Sequence, residues 1–357
     1  MSKHIVFLFS AYYDTPMGGY KVVYEYSNRL IHDGYKVTIV YPSFLFFREI
    51  SLKRKFKHIL KFLYYIVRKK KGPYCWFPLD KEVKLDYVFS LNENNIPKGD
   101  FYIATAMETA VCLNDYKKIE SSQKYYLIQA FEDWEWGKEA LLKTWKYDLN
   151  KIVISPWLES IATSLNEKAV LIENGVDRPG FKKTIEPENR DKFSVLMLYH
   201  VQKLKGCIDG LNALKEVKIK YPELRVRYFG WPSRPLDLPD WIEYLQTPTE
   251  EVLCDIYNKS AIFIGTSHSE GWGLTVGEAM ACGCAVACTD AGGYLSMAKH
   301  QQTALVSKIE DWHSLALNII EYIENDKMRI QMALNGYDRI QLFTWDRAYS
   351  KFKKVFE

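Results

Sequence analysis

The sequence lacks any apolar run long enough to cross a bilayer. Its 357 residues contain no stretch of about 18 apolar residues, and the N-terminus MSKHIVFLFSAYYD turns polar after one strand-length of hydrophobic residues. No basic segment followed by a long apolar core and a small-residue cleavage site is present. We therefore expect neither a signal peptide nor a spanning helix, and a cytoplasmic location.

Cysteine supplies no disulfide framework. The seven cysteines are odd in number and irregular in spacing, which favours a reduced, intracellular protein. Cys282, Cys284 and Cys288 lie close together, but they alternate with small apolar residues in a strand-like run that has no histidine at ligand spacing. We interpret them as buried small hydrophobic residues and predict no metal site.

Acidic residues are nearly absent from one basic segment. Between Arg48 and Lys71 there are ten basic residues and one acidic residue, Glu49. The local charge is therefore +9, in a chain whose net charge is +4. Apolar residues are interleaved with these lysines and arginines, a composition typical of a helix on an anionic membrane surface. We predict such docking for residues 53–71. A helix packed on the sheet with solvated lysines remains an alternative, and no nucleic-acid-binding motif accompanies the segment.

Strand and helix patterns alternate along the chain and then restart. The run HIVFLFS, a glycine-containing loop, a helical segment ending at Gly34 and the run YKVTIVYP form a βαβ unit, which implies a parallel sheet. A second series begins at Ser194, after an acidic, proline-containing connector. At this length two domains are expected, and we predict an α/β fold with two Rossmann-like domains.

Two glutamates, Glu270 and Glu278, stand eight residues apart in SEGWGLTVGEAMACG. On a continuous helix they would lie about 12 Å apart along the axis. That separation exceeds the roughly 5 to 9.5 Å of a glycosidase carboxylate pair. The spacing instead suits a long ligand held at two polar points, with the amides of the glycine turn and helix N-terminus facing an anion.

The same segment resembles the glutamate–seven–glutamate motif of family-four retaining glycosyltransferases, which have the GT-B fold. Four further motifs occur in family order: the glycine pair at 18–19, IENGVDRPGF, the Lys–Gly pair at 205–206 and FTWDRA. The resemblance implies an acceptor-binding domain at 1–177, a nucleotide-sugar-binding domain at 178–340 facing it across a cleft, and a C-terminal helix at 341–357 that returns to the first domain.

The resemblance also implies roles for individual residues. Glu270 would hold the donor sugar's hydroxyls and Glu278 the ribose, and Lys205 would meet the diphosphate. Backbone groups of the glycine-rich turn and the first helix would line the phosphates, namely Gly18, Gly19, Gly271, Gly273, Leu274 and Thr275.

The chain departs from the family pattern at three places. His200 stands where relatives have an arginine, so His200 or Lys203 would have to replace that charge. The segment IATAMETA lacks the histidine that many relatives place near the reaction centre. No Asp-x-Asp motif exists, so we predict no metal and no cofactor, with fixed positive charge and amide dipoles stabilising the leaving diphosphate.

Carboxylates and tryptophans suggest the acceptor side, because aromatic faces and carboxylates together suit sugar recognition. The candidates are Glu108, Glu132, Asp133, Trp134 and Trp136. The resemblance favours direct same-face transfer without an enzymic nucleophile, and no residue is assigned as general base.

Together these features predict a retaining hexosyl- or deoxyhexosyl-transferase. It would move a sugar from a nucleotide-diphosphate donor to a hydroxyl of a glycan or lipid-linked glycan. A narrower likeness to bacterial polysaccharide transferases places it in surface polysaccharide synthesis, peripheral on the inner face of the cell membrane. A nucleotide-sugar isomerase on the same fold and a non-catalytic nucleotide-sugar-binding partner remain alternatives.

Overall fold

The computed structural model describes residues 2–13, 15–45, 56, 59–60, 62–64, 76–177 and 179–357. Most of the segment 53–71, for which membrane docking is predicted, therefore lies outside the described residues. The chain forms two compact units. The first comprises Met1–Ile154, Leu158–Ile172 and Tyr349–Glu357, and the second comprises Ser155–Trp157 and Glu173–Ala348.

The first unit is built on a seven-stranded parallel sheet. Its strands are β1 (His4–Leu8), β2 (Lys36–Phe44), β3 (Lys84–Ser90), β4 (Phe101–Ala104), β5 (Lys124–Ile128), β6 (Asn150–Val153) and β7 (Ala169–Leu171). They lie in the order β3-β2-β1-β4-β5-β6-β7. The connecting helices include α1 (Gly18–His32), α2 (Met107–Asn114), α3 (Asp133–Trp145) and α4 (Pro156–Ser164). Ile5 to Leu8 of β1 are wholly buried, as expected of a strand covered on both faces.

The second unit is built on a six-stranded parallel sheet. Its strands are β8 (Ser194–Leu198), β9 (Arg225–Gly230), β10 (Ile242–Gln246), β11 (Ile262–Gly265), β12 (Ala285–Thr289) and β13 (Leu305–Ser307). They lie in the order β10-β9-β8-β11-β12-β13. The helices are α5 (Cys207–Lys220), α6 (Glu250–Asn258), α7 (Leu274–Ala281), α8 (Trp312–Glu324) and α9 (Asp326–Ile340). Cys282, Cys284 and Cys288 are buried in this unit, which confirms their interpretation as core residues.

The C-terminal helix α10 (Trp345–Lys354) carries the chain back to the first unit. Its Phe352 ring stacks on Tyr26 of α1 with centroids 4.0 Å apart. Tyr349 Oη and Lys353 Nζ each donate to Asp33 Oδ2 at 2.8 Å, and these hydrogen bonds, Lys353 first, lower the pKa of Asp33. The predicted return of the C-terminal helix is thereby confirmed.

Both sheets have a topological switch point, where neighbouring strands send their connections in opposite directions. In the first unit it lies between β1 and β4, and in the second between β8 and β11. Ligands of open α/β sheets bind outside the carboxyl ends of the strands at this point. The loops after these four strands are therefore where functional side chains are expected. Among the described residues, no helix is both long and apolar enough to cross a membrane.

A buried arginine ties the connector between the sheets to the core of the second unit. Arg190 is 6% exposed, and its guanidinium donates to the carbonyl oxygens of Ile185, Tyr257, Ser260 and Cys282. One side chain thus satisfies carbonyl groups of the connector, of α6 and of the C-terminal end of α7.

We predict that Arg190→Ala destabilises the second unit by about 3 kcal/mol or more, because several buried carbonyl groups lose their donor at once. Urea unfolding followed by intrinsic fluorescence measures the loss. Arg225→Ala is the matched control. Its side chain is 74% exposed and lies 3.4 Å from Asp191, so its removal changes stability little. Equal stability of the two variants would show that the hydrogen bonds of Arg190 to the buried carbonyl groups do not stabilise the second unit.

Candidate functional site

An ion pair bridges the two loops at the switch point of the second unit. Lys205 follows β8, Glu270 follows β11, and Lys205 Nζ lies 2.7 Å from Glu270 Oε2, with side chains 25% and 19% exposed. Ser267 Oγ donates to the same carboxylate oxygen at 3.0 Å, and Tyr294 Oη donates to Ser267 Oγ at 3.0 Å. The carboxylate is thus oriented by a lysine and by a buried hydroxyl relay, neither of which fills all of its acceptor positions.

The backbones of these two loops touch. Gly206 has φ +60°, and a Cβ at this position would lie 1.9 Å from the carbonyl oxygen of Thr266. Thr266 Oγ1 donates to the Lys205 carbonyl and the His268 amide donates to the Leu204 carbonyl, both at 2.7 Å. Glycine is required after Lys205 because only a residue without Cβ permits both the left-handed conformation and this approach.

Helix α7 begins directly after the glycine-rich turn at residues 271–273, which follows Glu270. Gly273 caps it with φ +95°, and a Cβ there would lie 2.3 Å from the Tyr294 ring. The amides of Val276 and Gly277 both donate to the Gly273 carbonyl. The amides of Leu274 and Thr275 have no acceptor within the helix, so the first turn presents donors and the positive end of the helix dipole to an anion.

Glu278 lies further along α7 and is only 8% exposed. Its Oε2 accepts a hydrogen bond of 3.2 Å from the hydroxyl of Tyr257, a buried residue of α6. Burial, and then the neighbouring Glu278 charge, raise the pKa of Tyr257 well above its ordinary value, so the phenol remains a donor. Glu278 is therefore a buried helix residue and not a solvent-exposed one.

His200 and Lys203 differ in how they meet this site. The Gln202 amide donates to His200 Nδ1 at 3.0 Å, which leaves the ring proton on Nε2. Burial, and then the charge of Lys205, lower the pKa of His200. Near neutral pH the ring is therefore an uncharged donor and no substitute for the family arginine's fixed charge. Lys203 is exposed on the single turn Lys203–Lys205.

A small cavity lies among these elements, between the carboxyl ends of β8 and β11. It places the ion-pair lysine, the hydroxyl relay and the first turn of α7 around one space. The lining residues are Leu198, Lys205, Phe263, Ile264, Gly265, Thr266, Ser267, Thr275 and Tyr294.

In the first unit, three of the residues chosen from the sequence follow the strands β1 and β4 of its own switch point. Gly18 and Gly19 begin α1 after β1, and Glu108 lies in the first turn of α2 after β4. Glu132 Oε2 accepts from the Met107 amide at 2.7 Å, so this carboxylate caps α2. The side-chain amide of Gln129, which the sequence analysis did not select, comes within 3.3 Å of the Cβ position of Gly19.

Trp134 and Trp136 are both exposed, at 49% and 42%. They follow the partly buried Asp133 and precede Gly137, whose φ of 78° and ψ of 166° interrupt α3. The break separates this short aromatic turn from the rest of α3, where Trp145 is fully buried. Both rings of this turn are thus partly exposed to solvent.

Sequence reasoning missed three residues of the second-unit site: Ser267, His268 and Tyr294. Ser267 and His268 stand three and two residues before Glu270 in TSHSEG, so proximity to the motif could have indicated them. Tyr294 is 24 residues beyond Glu270, and only the fold brings its hydroxyl to the loop.

Two parallel α/β sheets, each with a switch point, define the two-Rossmann class, and comparison with known proteins places the chain within it. Residues 180–339 match the family model described as glycosyl transferases group 1. The resemblance to glycosyltransferases seen in the sequence is thereby confirmed for this part of the chain, which holds 160 of the 357 residues.

Individual relatives are distant. The chain is 25% identical over 151 residues to O-antigen chain mannosyltransferase B of Escherichia coli, covering 40% of this chain and 39% of that protein. It is 21% identical over 204 residues to the phosphatidyl-myo-inositol mannosyltransferase of Mycolicibacterium smegmatis, covering 54% and 53%. The matched segments span between 27% and 58% of the length of these curated relatives.

Solved structures extend the likeness of fold to the whole chain. Anabaena HepE in complex with UDP-glucose superposes with a TM-score of 0.71 at 15% identity, covering 99% of this chain and 98% of that one. The two-domain GT-B architecture predicted from the sequence is thus confirmed.

We predict that His200 titrates below the ordinary value of 6.5 and reports on its charged neighbours. Lys205→Ala should raise the pKa by removing a positive charge, and Glu270→Ala should lower it further. NMR titration of the ring measures both shifts. His4 of the first unit, whose pKa burial also lowers, should not respond to either change.

The same shift has a consequence for stability. The folded protein favours neutral His200, so its contribution to stability is complete above pH 6.5 and is lost as the pH falls towards the folded pKa. His200→Gln should make the fall in the free energy of unfolding below pH 6.5 shallower. A pH–stability profile that His200→Gln leaves unchanged would contradict the placement of His200 beside the ion pair. So would pKa shifts of the opposite sign in the Lys205 and Glu270 variants.

Proposed function

We propose that this protein is a retaining glycosyltransferase whose donor is a nucleotide-diphosphate sugar. The observation that carries the proposal is the meeting of Lys205, Glu270 and the first turn of α7 at one switch point. A cation and outward amides suit a diphosphate, and a carboxylate with open acceptor positions suits sugar hydroxyls. The family match at residues 180–339 and a structural neighbour solved with UDP-glucose support the same donor class.

Donor binding would separate the ion pair. Lys205 Nζ would turn from Glu270 Oε2 to the phosphate oxygens, while Ser267 continues to orient the carboxylate towards the sugar. Glu278 would hold the ribose with Tyr257 as its fixed neighbour. In this exchange Lys205 would gain an anionic partner, and the Glu270 carboxylate would keep hydrogen-bond donors from Ser267 and the sugar hydroxyls.

The chemistry proposed is departure of the nucleoside diphosphate while the acceptor hydroxyl attacks on the same face. Negative charge grows on the phosphate oxygens, where Lys205 and the amides of Leu274 and Thr275 would stabilise it. The leaving phosphate would take the hydroxyl proton. We propose metal-independent transfer because the sequence has no Asp-x-Asp motif and the protein offers its own positive groups at the site.

The proposed acceptor is a glycan or lipid-linked glycan of a surface polysaccharide, and the transferred group a hexose or deoxyhexose. Relatives whose names specify O-antigen and phosphatidylinositol mannosyl transfer support that class. The acceptor side would lie in the first unit, where Trp134 and Trp136 offer exposed rings and Asp133 a neighbouring carboxylate. Aromatic faces of this kind stack on sugar rings.

Membrane docking is proposed for the basic segment. The described residues Phe56, Ile59, Leu60, Leu63 and Tyr64 are helical and exposed, at the spacing of one helix face. Phe62 turns the other way and meets Phe89 of β3 edge-to-face at 5.6 Å. An apolar face within a segment of charge +9 is suited to the anionic inner face of a cell membrane.

One observation favours a rival. The uncharged His200 leaves the site without the second cation that the family pattern supplies, as expected of a nucleotide-sugar-binding protein that does not catalyse transfer. A transfer assay decides between the two, and incubation with the nucleotide sugar alone detects the isomerase alternative.

We predict that Lys205→Ala and Glu270→Ala each lower kcat/KM for transfer by about 10²-fold or more, the scale of losing one preorganised charge contact. A panel of uridine, guanosine and thymidine diphosphate sugars, with activity measured in EDTA, identifies the donor and tests metal independence. Proton NMR of the first-formed product gives the anomeric configuration.

Lys220→Ala is the matched control, since Lys220 pairs with Glu324 on the surface of the same unit at 2.6 Å. Near-normal turnover in both site variants would refute the site assignment. Activity lost in EDTA and restored by one metal would refute metal independence, and an inverted product would refute retention.

We predict that the protein sediments with vesicles containing phosphatidylglycerol but not with pure phosphatidylcholine vesicles. The double change Leu60→Asp and Leu63→Asp should weaken this binding at least about tenfold. Each change removes apolar area that would be buried in the membrane, and the new carboxylate is repelled by the anionic lipids. Ile219→Asp is the matched control, an exposed apolar residue on α5 at 84%. Binding that ignores lipid charge, or that survives the double change, would contradict docking through this segment.

A further inference from the structure

A second pair of hydrogen-bonded side chains, Asp209 and His268, lies beside Lys205 and Glu270. Asp209 lies in the first turn of α5, four residues after Lys205, and His268 lies two residues before Glu270. His268 Nε2 donates to Asp209 Oδ2 at 2.5 Å, with side chains 22% and 19% exposed. The other ring nitrogen, Nδ1, lies 3.7 Å from Glu310 Oε1. The imidazole therefore lies between two carboxylates and is hydrogen-bonded to that of Asp209.

The ring and the backbone of His268 both lie against the Lys205 turn. Its amide donates to the Leu204 carbonyl at 2.7 Å. Its Cδ2 would lie 3.0 Å from a Cβ at Gly206. His268 thus contacts the turn on one side and α5 on the other, whereas the direct link through Lys205 and Glu270 consists of side chains alone.

The difference between the Asp209–His268 link and the Lys205–Glu270 link matters when a donor binds. If Lys205 and Glu270 turn to the diphosphate and the sugar, as the proposed function requires, their ion pair no longer joins the loops. The Asp209–His268 pair uses neither group and can persist. We propose that Asp209 and His268 form a positioning pair that keeps the Lys205 and Glu270 loops at fixed spacing while the donor separates the ion pair.

A purely structural role is the competing explanation. An acidic residue in the first turn of a helix is stabilising by itself, so Asp209 would favour α5 without His268. The two roles differ in their consequence for the ligand. A positioning pair changes donor affinity through Lys205, whereas a structural residue changes overall stability whether or not Lys205 is present.

The test compares the full-length variants His268→Ala, His268→Gln and His313→Ala. Glutamine retains a side-chain N–H donor for Asp209. His313 is the matched control, because its Nδ1 lies 2.8 Å from Glu216 Oε2 on the same helix α5 without contacting either loop. Hydrogen exchange of the residue 268 amide reports the loop contact directly. Calorimetric titration with uridine, guanosine and thymidine diphosphate reports affinity.

In His268→Ala we expect faster exchange of the residue 268 amide. We also expect the Kd for the diphosphate that binds to rise about tenfold, the scale of losing one hydrogen bond to a charged group. His268→Gln should recover most of both losses, and His313→Ala should match the wild type. In a Lys205→Ala background, His268→Ala should add little to the Kd.

Exchange and affinity in His268→Ala equal to those of His313→Ala would overturn the proposal. So would an equal weakening of binding in the presence and absence of Lys205, which would assign a structural role only. If the wild type binds none of the three diphosphates, the proposed function fails instead, and the exchange measurement still decides whether His268 holds the loops together.

Discussion

The second unit depends on one constraint: the loops after β8 and β11 must approach closely enough for Lys205 and Glu270 to meet. The two strands are neighbours in the sheet, but their connections leave in opposite directions, so nothing in the sheet itself joins the loops. Contact is made by backbone and side-chain groups together, through the Gly206–Thr266 approach and the 2.7 Å ion pair. The residue types on both loops follow from this requirement.

Glycine is required at two places for related reasons. At Gly206 a side chain would collide with the opposing loop, and at Gly273 it would collide with the Tyr294 ring, while both residues have positive φ. Any side chain would therefore cost free energy through strain and through displacement of the neighbour. These two turns bring Lys205 and the first turn of α7 to one small cavity. Local conformational cost is accepted where several polar groups must converge.

The sequence predicted the architecture well because strand and helix periodicity is a local signal. The run HIVFLFS became β1 and the helical segment after the glycine pair became α1, while the restart at Ser194 became β8. The family resemblance implied that Lys205 and Glu270 act at one site, although 65 residues separate them. What spacing could not supply was their direct contact, or the hydroxyl relay from Tyr294, because both depend on the packing of the loops.

Side-chain environment was the other limit of sequence reasoning. Glu132, chosen as an acceptor-side carboxylate, caps α2 through the Met107 amide, a contact that requires β4 and β5 to be neighbours. His200 was considered as a cation because its position matches the family arginine. The structure shows a half-buried ring beside Lys205, and both burial and that charge oppose protonation. Residue type predicts which charges are available, but only the surroundings decide which of them exist at neutral pH.

The neutral His200 has a further consequence for how the leaving group would be stabilised. Relatives that have an arginine there would meet the diphosphate with two fixed cations, and here Lys205 would act beside an uncharged N–H donor. More of the stabilisation would then fall to the amides of Leu274 and Thr275, whose positions are set by the turn at Gly273. Amide dipoles do not lose their charge as the pH rises, and they need no reorganisation when negative charge develops. The glycine-rich turn is therefore the part of the site on which this chain, with histidine in place of arginine, would depend most heavily.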